Sequence, residues 1–333
     1  MARRGGGIVR IGLLGASRIA PAAVVEPART CERAEVTAVA ARDPRRAATF
    51  ADQHRIPHVV DTYADLIASD LVDAIYVGLP PSAHAPWTIA ALEAGTHVLC
   101  EKPFSCTTEE AVAMVAAAER TGLVLCEAYH WRYHPLADRL HQLLHVERRL
   151  GRLRHVEAAF DAPIPDLTDI RHDPRLGGGA LMDLGCYPVQ WARFVAGAEP
   201  EVERARAVEG QPGIDVSMEV ELRFPDDLTA LVTTSMDPDV EVRAVLRVEG
   251  EAGTLTVVNP LAPHLGHRLV LEADDGSTTE TVDGGTTYDH QLQAFTAAIL
   301  DGAPLPTGGA DAVATMAVLE ACYAAAGLPR RGA

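Results

Sequence analysis

Short apolar runs alternating with helical stretches fill the first 127 residues, and this narrows the fold more than any other feature of the chain. Ile8–Leu14, Val36–Ala41, Ala74–Val77, His97–Cys100 and Val124–Cys126 each read as a buried strand. Pro44–His54, Tyr63–Ala68, His84–Ala94 and Thr108–Thr121 read as the helices between them. Strands that alternate with helices imply right-handed βαβ units and a parallel sheet.

After Glu127 the texture changes. Pro135–Val146 reads as one more helix and Ala158–Arg175, rich in Pro and Asp, as a loop. Ser217–Phe224, Thr229–Ser235, Ala244–Glu249 and Gly253–Val258 read as strands, several joined by short turns such as Pro225–Asp227 and Gly250–Gly253. Consecutive strands with short turns predict an antiparallel or mixed sheet. Two helices, Tyr288–Leu300 and Gly309–Ala326, follow. At 333 residues the chain exceeds the roughly 250–300 that one core supports. The reading is therefore two domains, residues 1–127 and 128–333, with the last helix able to pack back on the first domain.

Charge excludes several classes of partner. Asp plus Glu total 46 against 29 Lys plus Arg, a net charge of −17. A surface that acidic repels phosphate backbones, so no nucleic acid is expected. No run approaches the roughly 18 apolar residues of a membrane helix, and no membrane contact is expected. Arg3-Arg4 hints at a twin-arginine signal, but Arg10 breaks the apolar run and Ile11–Ala16 falls short of the roughly 7–15 residues of a signal core. Met1–Gly7 reads as a loose tail and the protein as cytoplasmic. Cys31, Cys100, Cys106, Cys126, Cys186 and Cys322 are scattered without a Cys-x-x-Cys pair, which suits buried apolar positions better than disulfides or zinc. His130/His134 and His141/His145 have helical metal spacing, but Pro135 interrupts the first pair and no His-Glu-x-x-His order exists, so no metal is expected.

The chemistry begins after the first strand. Gly15-x-Ser17-x-x-Ala20 stands where a dinucleotide fold has a tight turn, a close approach to the pyrophosphate and close helix packing. Ser17 replaces the second glycine; it is small, and its hydroxyl can donate to a phosphate at the helix start. Arg18 and Ile19 lie in the same turn and join Gly15 and Ser17 as cofactor-binding candidates. An NAD enzyme usually ends its second strand in Asp or Glu, about 20 residues past the glycines. This chain has Ala41-Arg42-Asp43-Pro44-Arg45-Arg46 there. Arg42 can pair with a 2′-phosphate, aided by Arg45 or Arg46, which predicts NADP over NAD. The competing reading leaves Arg42 in solvent and gives Asp43 the ribose.

Two loops follow later strands: Leu79-Pro80-Pro81-Ser82-Ala83-His84 and Glu101-Lys102-Pro103. Both would lie at carboxyl ends of parallel strands, where open α/β sheets bind ligands. In the second domain Gly177-Gly178-Gly179 precedes Asp183 and Tyr187, which share one face if the segment is helical. Pro188 argues there for a kink or a first turn only.

In this order, these motifs resemble the Gfo/Idh/MocA oxidoreductases over nearly the whole chain, including Tyr288–Phe295. Tyr187 makes the resemblance strongest to the branch of dimeric dihydrodiol dehydrogenase, NADP-dependent xylose or glucose dehydrogenase and glucose-fructose oxidoreductase. The resemblance implies an α/β fold: an N-terminal Rossmann dinucleotide-binding domain, then an α+β domain with an open, largely antiparallel sheet that often mediates dimerisation. It implies that Lys102, Asp183 and Tyr187 surround the reacting carbon, and that Leu79, Pro80, His84 and Glu101 line the cofactor. Hydride transfer needs a group that moves the alcohol proton. An ordinary Lys, with pKa about 10.4, is a poor base at neutral pH until burial beside a cation lowers it. Either Lys102 or Tyr187 can move the proton, and Asp183 can orient a hydroxyl or the lysine. Arg171, Trp131 and Arg132 are candidates for substrate contact; Trp131 and Arg132 equally suit packing at the domain junction.

The expected function is thus NADP-dependent oxidation or reduction of a sugar, keto-sugar or cyclic diol by a homodimer or homotetramer. The alternatives are a redox-neutral sugar-modifying enzyme that retains its nicotinamide, and a non-catalytic NADP-binding regulator.

Overall fold

Six parallel strands form the first sheet in the computed structural model, which describes residues 7–274 and 276–332. They are β1 (Val9–Leu14), β2 (Ala34–Ala40), β3 (His58–Val60), β4 (Ala74–Val77), β5 (His97–Cys100) and β6 (Leu125–Glu127), in the spatial order β3-β2-β1-β4-β5-β6. Every neighbouring pair is parallel. β4 is buried at each residue, as a strand covered on both faces must be. The strand order reverses between β1 and β4, which opens a crevice at the carboxyl ends there.

The connecting helices start and stop where their caps dictate. A wide turn at Pro21–Val25 leads into α1 (Glu26–Thr30). α2 (Pro44–His54) has Pro at its first position and Asp43 as N-cap, and it ends at Arg55 in the left-handed conformation. α3 (Tyr63–Ala68) is capped by Thr62, and α4 (His84–Glu93) follows the Pro81–Ala83 turn. α5 (Thr108–Thr121) opens on a capping box between Thr107 and Glu110 and closes on Gly122 at φ +66°. The short edge strand β3 was not expected. Of the N-terminal tail, residues 1–6 lie outside the described residues.

The chain divides into two units. One comprises the described residues up to Tyr133 together with Tyr288–Val313; the other comprises His134–Thr287 and the described residues from Ala314 on. The division falls after Tyr133 rather than Glu127. The penultimate helix joins the first unit, where Leu292 and Phe295 enter its core, and the last helix begins within that unit, at Ala310–Val313.

The second unit opens with α6 (Pro135–His141), which a wide turn at Gln142–Val146 continues. Its sheet has eight strands in the order β14-β13-β12-β11-β7-β10-β9-β8. These are β7 (Leu153–Asp161), β8 (Glu201–Gln211), β9 (Ile214–Arg223), β10 (Thr229–Ser235), β11 (Arg243–Gly250), β12 (Gly253–Val258), β13 (Arg268–Ala273) and β14 (Gly276–Glu280). All neighbours are antiparallel except β7 and β10. Between those two the chain forms α7 (Cys186–Ala196), packed on β7 and β10, and then β8 and β9, the strands that lie beyond β10 in the same sheet. α8 (Thr287–Asp301) and α9 (Ala310–Ala325) complete the elements. Ala158–Asp161, expected as the start of a loop, is instead the end of β7. β8, β13 and β14 were also not expected. β8 alternates Glu and Arg and is exposed at most positions, so the apolar signature of a strand is missing from it. Among the described residues no helix is long and apolar enough to cross a membrane.

The capping box gives a direct test. The Thr107 hydroxyl accepts from Glu110 N at 3.2 Å, and the Glu110 carboxylate accepts from Cys106 N and Thr107 N. Thr107→Ala is expected to cost about 1 kcal/mol, read as a lower urea midpoint at unchanged slope. A wild-type midpoint would remove the cap from this account.

Candidate functional site

The turn after β1 is built around Gly15. Its φ is +96°, and its N–H donates to Ala40 O at 2.9 Å. A Cβ at Gly15 would fall 2.9 Å from both Gly78 O and the Leu79 side chain, so the β1 and β4 loops can meet only over a glycine. The Ser17 Oγ is buried without a hydrogen-bond partner, and a Cβ on Gly78 would fall 2.9 Å from it. The first helical hydrogen bond runs from Ala23 N to Ile19 O. Amides ahead of it have no acceptor within the helix and make a ready anion site. An unpartnered hydroxyl at the start of a helix, at the strand-order reversal, fits a dinucleotide pyrophosphate. Arg18 and Ile19 are exposed on the same turn, and Leu79 and Pro80 are half-buried on the facing loop.

At the end of β2 the acid is engaged elsewhere. Asp43 caps α2, its carboxylate accepting from Arg45 N at 2.9 Å. Arg42, Arg45 and Arg46 are exposed. Arg46 reaches back to donate to Ala16 O at 2.8 Å, which brings a cation to the rim of the fingerprint turn. In a chain of net charge −17 this is a local cationic patch, suited to a 2′-phosphate more than to a free ribose.

Lys102 follows β5. Its N–H donates to Glu101 Oε2 at 3.2 Å, while Glu101 Oε1 accepts from Tyr76 OH at 2.8 Å. Burial, then the Glu101 charge, pushes the Tyr76 and Tyr288 hydroxyls up, so both stay protonated around that carboxylate. The Lys102–Pro103 peptide is cis. His84 does not face solvent. Fully buried, it sets Nδ1 2.9 Å from Pro103 O and Nε2 2.8 Å from Leu79 O, tying the β4 loop to the Lys102 loop. Burial lowers its pKa, and Lys102 acts in the same direction against the two carbonyls. The neutral ring donates to one of those carbonyls, according to its tautomer.

The second unit holds the remaining candidates. The segment Leu181–Gly185 is a widened helical turn that runs straight into α7, so the helix continues through Pro188. The wide turn accommodates a residue with no N–H to return, and the expected break is absent. Asp183 and Tyr187 therefore lie on one continuous helix. Asp183 Oδ2 accepts from Arg171 Nε at 2.5 Å, and Arg171 Nη1 donates to Asp169 at 3.0 Å. The Asp183 charge drives the Arg171 guanidinium pKa well upward, against desolvation. Arg171 is thus neither an ordinary surface charge nor open to substrate alone. Tyr187 is buried with its ring against Phe160 and Trp191, at centroid distances of 5.8 and 6.4 Å. Asp169 was missed although it lies only two residues from Arg171, because what makes Arg171 matter, its pair with Asp183 twelve residues on, forms only in the fold. Tyr76 was missed because it reads as one more apolar strand residue.

Trp131 and Arg132, expected as candidates for substrate contact, lie in the turn His130–Tyr133. Trp131 is 2% exposed, with the Arg132 guanidinium 5.5 Å from its ring centroid. The His141 and His145 rings are 5.1 Å apart; among the described residues no group of three or more potential ligands could hold a metal.

Comparison with known proteins matches both units. The family model described as the Gfo/Idh/MocA oxidoreductase NAD-binding Rossmann fold matches residues 9–129. The model of the Gfo/Idh/MocA C-terminal domain matches residues 139–256. The chain is similar to D-xylose 1-dehydrogenase (NADP(+)) 2 of Haloferax volcanii, 35% identical, covering 95% of this chain and 96% of that one. It is similar in structure to a 3-ketoreductase from Actinomadura kijaniata solved with NADP and TDP-benzene, with TM-score 0.87, 27% identity, and 96% and 98% of the two chains covered. It is also similar to aldose-aldose oxidoreductase from Caulobacter crescentus, with TM-score 0.87, 27% identity, and 96% and 97% covered.

The buried histidines set a pH dependence. His84, His97 and His145 all have pKa values lowered chiefly by burial. A depressed folded value means the stability is complete above the ordinary value of about 6.5 and is lost as pH falls through the folded values. The thermal midpoint should therefore drop from about pH 7 to about pH 5, less steeply in His84→Gln than in the wild type. Parallel slopes in the two proteins would contradict the buried neutral His84.

Proposed function

The chain belongs to the Gfo/Idh/MocA oxidoreductase family, and on that premise we propose that it is an NADP-dependent enzyme that oxidises or reduces a CH–OH carbon of a sugar, keto-sugar or cyclic diol. One observation carries the reading: the unpartnered Ser17 hydroxyl and the Lys102 loop stand at carboxyl ends of a single parallel sheet, joined by the β4 loop that touches Gly15 and that His84 ties down. The similar xylose dehydrogenase and the ketoreductase solved with NADP support both the chemistry and the cofactor. Arg42 beside a capped Asp43 supports NADP in preference to NAD.

Gly15, Ser17, Arg18 and Ile19 hold the pyrophosphate side, and Arg42 the 2′-phosphate, with Leu79, Pro80, His84 and Glu101 shaping the nicotinamide side. The bound nicotinamide supplies or accepts the hydride. Lys102 and Tyr187 handle the alcohol proton. Glu101 holds the Lys102 backbone through its N–H and so fixes where the lysine side chain starts. Asp183, held by Arg171, accepts from a substrate hydroxyl and orients it. Substrate charge follows from the same residues. The loop carrying Arg171 holds Asp166, Asp169 and Asp173, and its arginines are already paired with carboxylates, which favours a neutral sugar over a phosphorylated one. The enzyme works in the cytoplasm as a homodimer or homotetramer.

The test follows nicotinamide absorbance with NADP against aldoses and cyclic diols, and with NADPH against keto-sugars, running NAD(H) in parallel. Turnover should prefer NADP(H) and neutral sugars. Lys102→Met should lower kcat by roughly 100-fold or more with cofactor still bound. Arg42→Ala should raise KM for NADP about tenfold while leaving that for NAD unchanged. Wild-type kcat in the lysine variant would overturn the assignment. Bound cofactor that is never exchanged, with sugars interconverted, would favour the redox-neutral chemistry suggested by the similar aldose-aldose oxidoreductase.

A further inference from the structure

The second unit buries a full ion pair that the chemistry above does not use. The side chains of Arg331 and Asp215 have no exposed surface, and Arg331 Nη2 donates to Asp215 Oδ1 at 2.6 Å. Arg331 also donates to Gly213 O, and its guanidinium carbon stands 3.9 Å from the Tyr323 ring centroid. Tyr323 OH donates to the same Asp215 oxygen at 3.0 Å. The other oxygen, Oδ2, accepts from Leu181 N at 2.7 Å. Leu181 opens the widened turn that carries Asp183.

The cluster also fixes the glycine run. Gly179 has φ +130°, and a Cβ there would collide with Asp215 and Tyr323 and press on Arg331 Nη2 at 3.2 Å. Its carbonyl accepts from Asp183 N at 3.1 Å and its N–H donates to Arg171 O at 2.9 Å. Gly332 N donates to Pro174 O at 3.1 Å, in the turn that follows Arg171. Arg331 is therefore tied through Asp215 to Leu181, at the start of the turn that carries Asp183, and its neighbour Gly332 to the turn that follows Arg171.

A buried ion pair is a weak source of stability, because desolvation offsets the attraction. Apolar packing would fill the same space at less cost, so the bonds to Leu181 and Gly213 are what distinguishes this pair. We propose that Arg331, acting through Asp215 and Tyr323, is a positioning residue that sets where Asp183 and the helix bearing Tyr187 meet the sugar. This rests on the functional reading above only for the identity of the reaction.

The test uses Arg331→Ala and Arg331→Lys in the full chain, read by amide exchange and by steady-state kinetics. In Arg331→Ala the amides of Leu181 and Asp183 should exchange faster while those of β10 and β11 keep their protection. Its kcat should fall by roughly 10- to 100-fold while KM for NADP is unchanged. Millimolar guanidinium should restore much of that kcat, and sodium at equal ionic strength should not. Arg331→Lys keeps the charge and the fold but cannot bond Gly213 O and Asp215 from one plane, so it should show the same changes to a smaller degree. Wild-type exchange at Leu181 and Asp183 in either folded variant would overturn the proposal, as would a kcat loss that guanidinium leaves untouched. If Arg331→Ala does not fold, the lysine variant decides by the same two readouts. A wild-type protein with no turnover would count against the proposed reaction alone, since amide exchange still decides the positioning.

Discussion

A parallel sheet leaves neither face to water, and most of the first unit follows from covering both. β4, apolar at every position, could not exist with one face exposed. Each strand must then be followed by a crossover before the next can lie parallel to it. The crossovers begin at the carboxyl ends, so Gly15–Ile19, Gly78–Ala83 and Glu101–Pro103 are gathered along one edge of the sheet by connectivity alone. Where the order reverses between β1 and β4, two of those loops part, and the contact of Gly15 with Gly78 O sets how closely they return.

Electrostatics in this chain is a matter of placement. With 46 acidic and 29 basic residues, most arginines find a carboxylate, as Arg10 finds Asp73 and Arg171 finds Asp183 and Asp169. Arg42 stands exposed where a carboxylate would otherwise receive a ribose. The nearest acid, Asp43, is engaged in holding the first turn of α2. One side chain's choice of partner thus caps the helix and takes up the acid next to the end of β2.

What the sequence made legible, and what it hid, divides along local and distant causes. α2, α3 and α5 have the expected bounds because their caps, Asp43, Thr62 and Thr107, lie next to the residues they stop. β10 and β12 likewise agree residue for residue. β3 was lost because three residues carry no periodicity, and β8 because an edge strand of Glu and Arg looks like a solvated loop. At the site, Gly15, Ser17, Lys102 and Asp183 were visible as motifs. Their distant partners were not: Tyr76, 25 residues from Glu101, and Asp215, 34 residues from Leu181, matter only after the chain has folded back.

The lone parallel pair in the second sheet has a further consequence. β7 and β10 are neighbours in the middle of the sheet, so the stretch from Ala162 to Leu228 is anchored at both ends to adjacent strands. That excursion contains the acidic loop, the glycine run, Asp183 and Tyr187. Residues can be inserted or exchanged between Ala162 and Pro200 while β7 and β10 keep their register, because the ladders among β7, β10, β9 and β8 are made by residues outside that stretch. The stretch that carries Asp183 and Tyr187 is therefore the part free to drift, and a fold built this way can vary it without relearning how to fold.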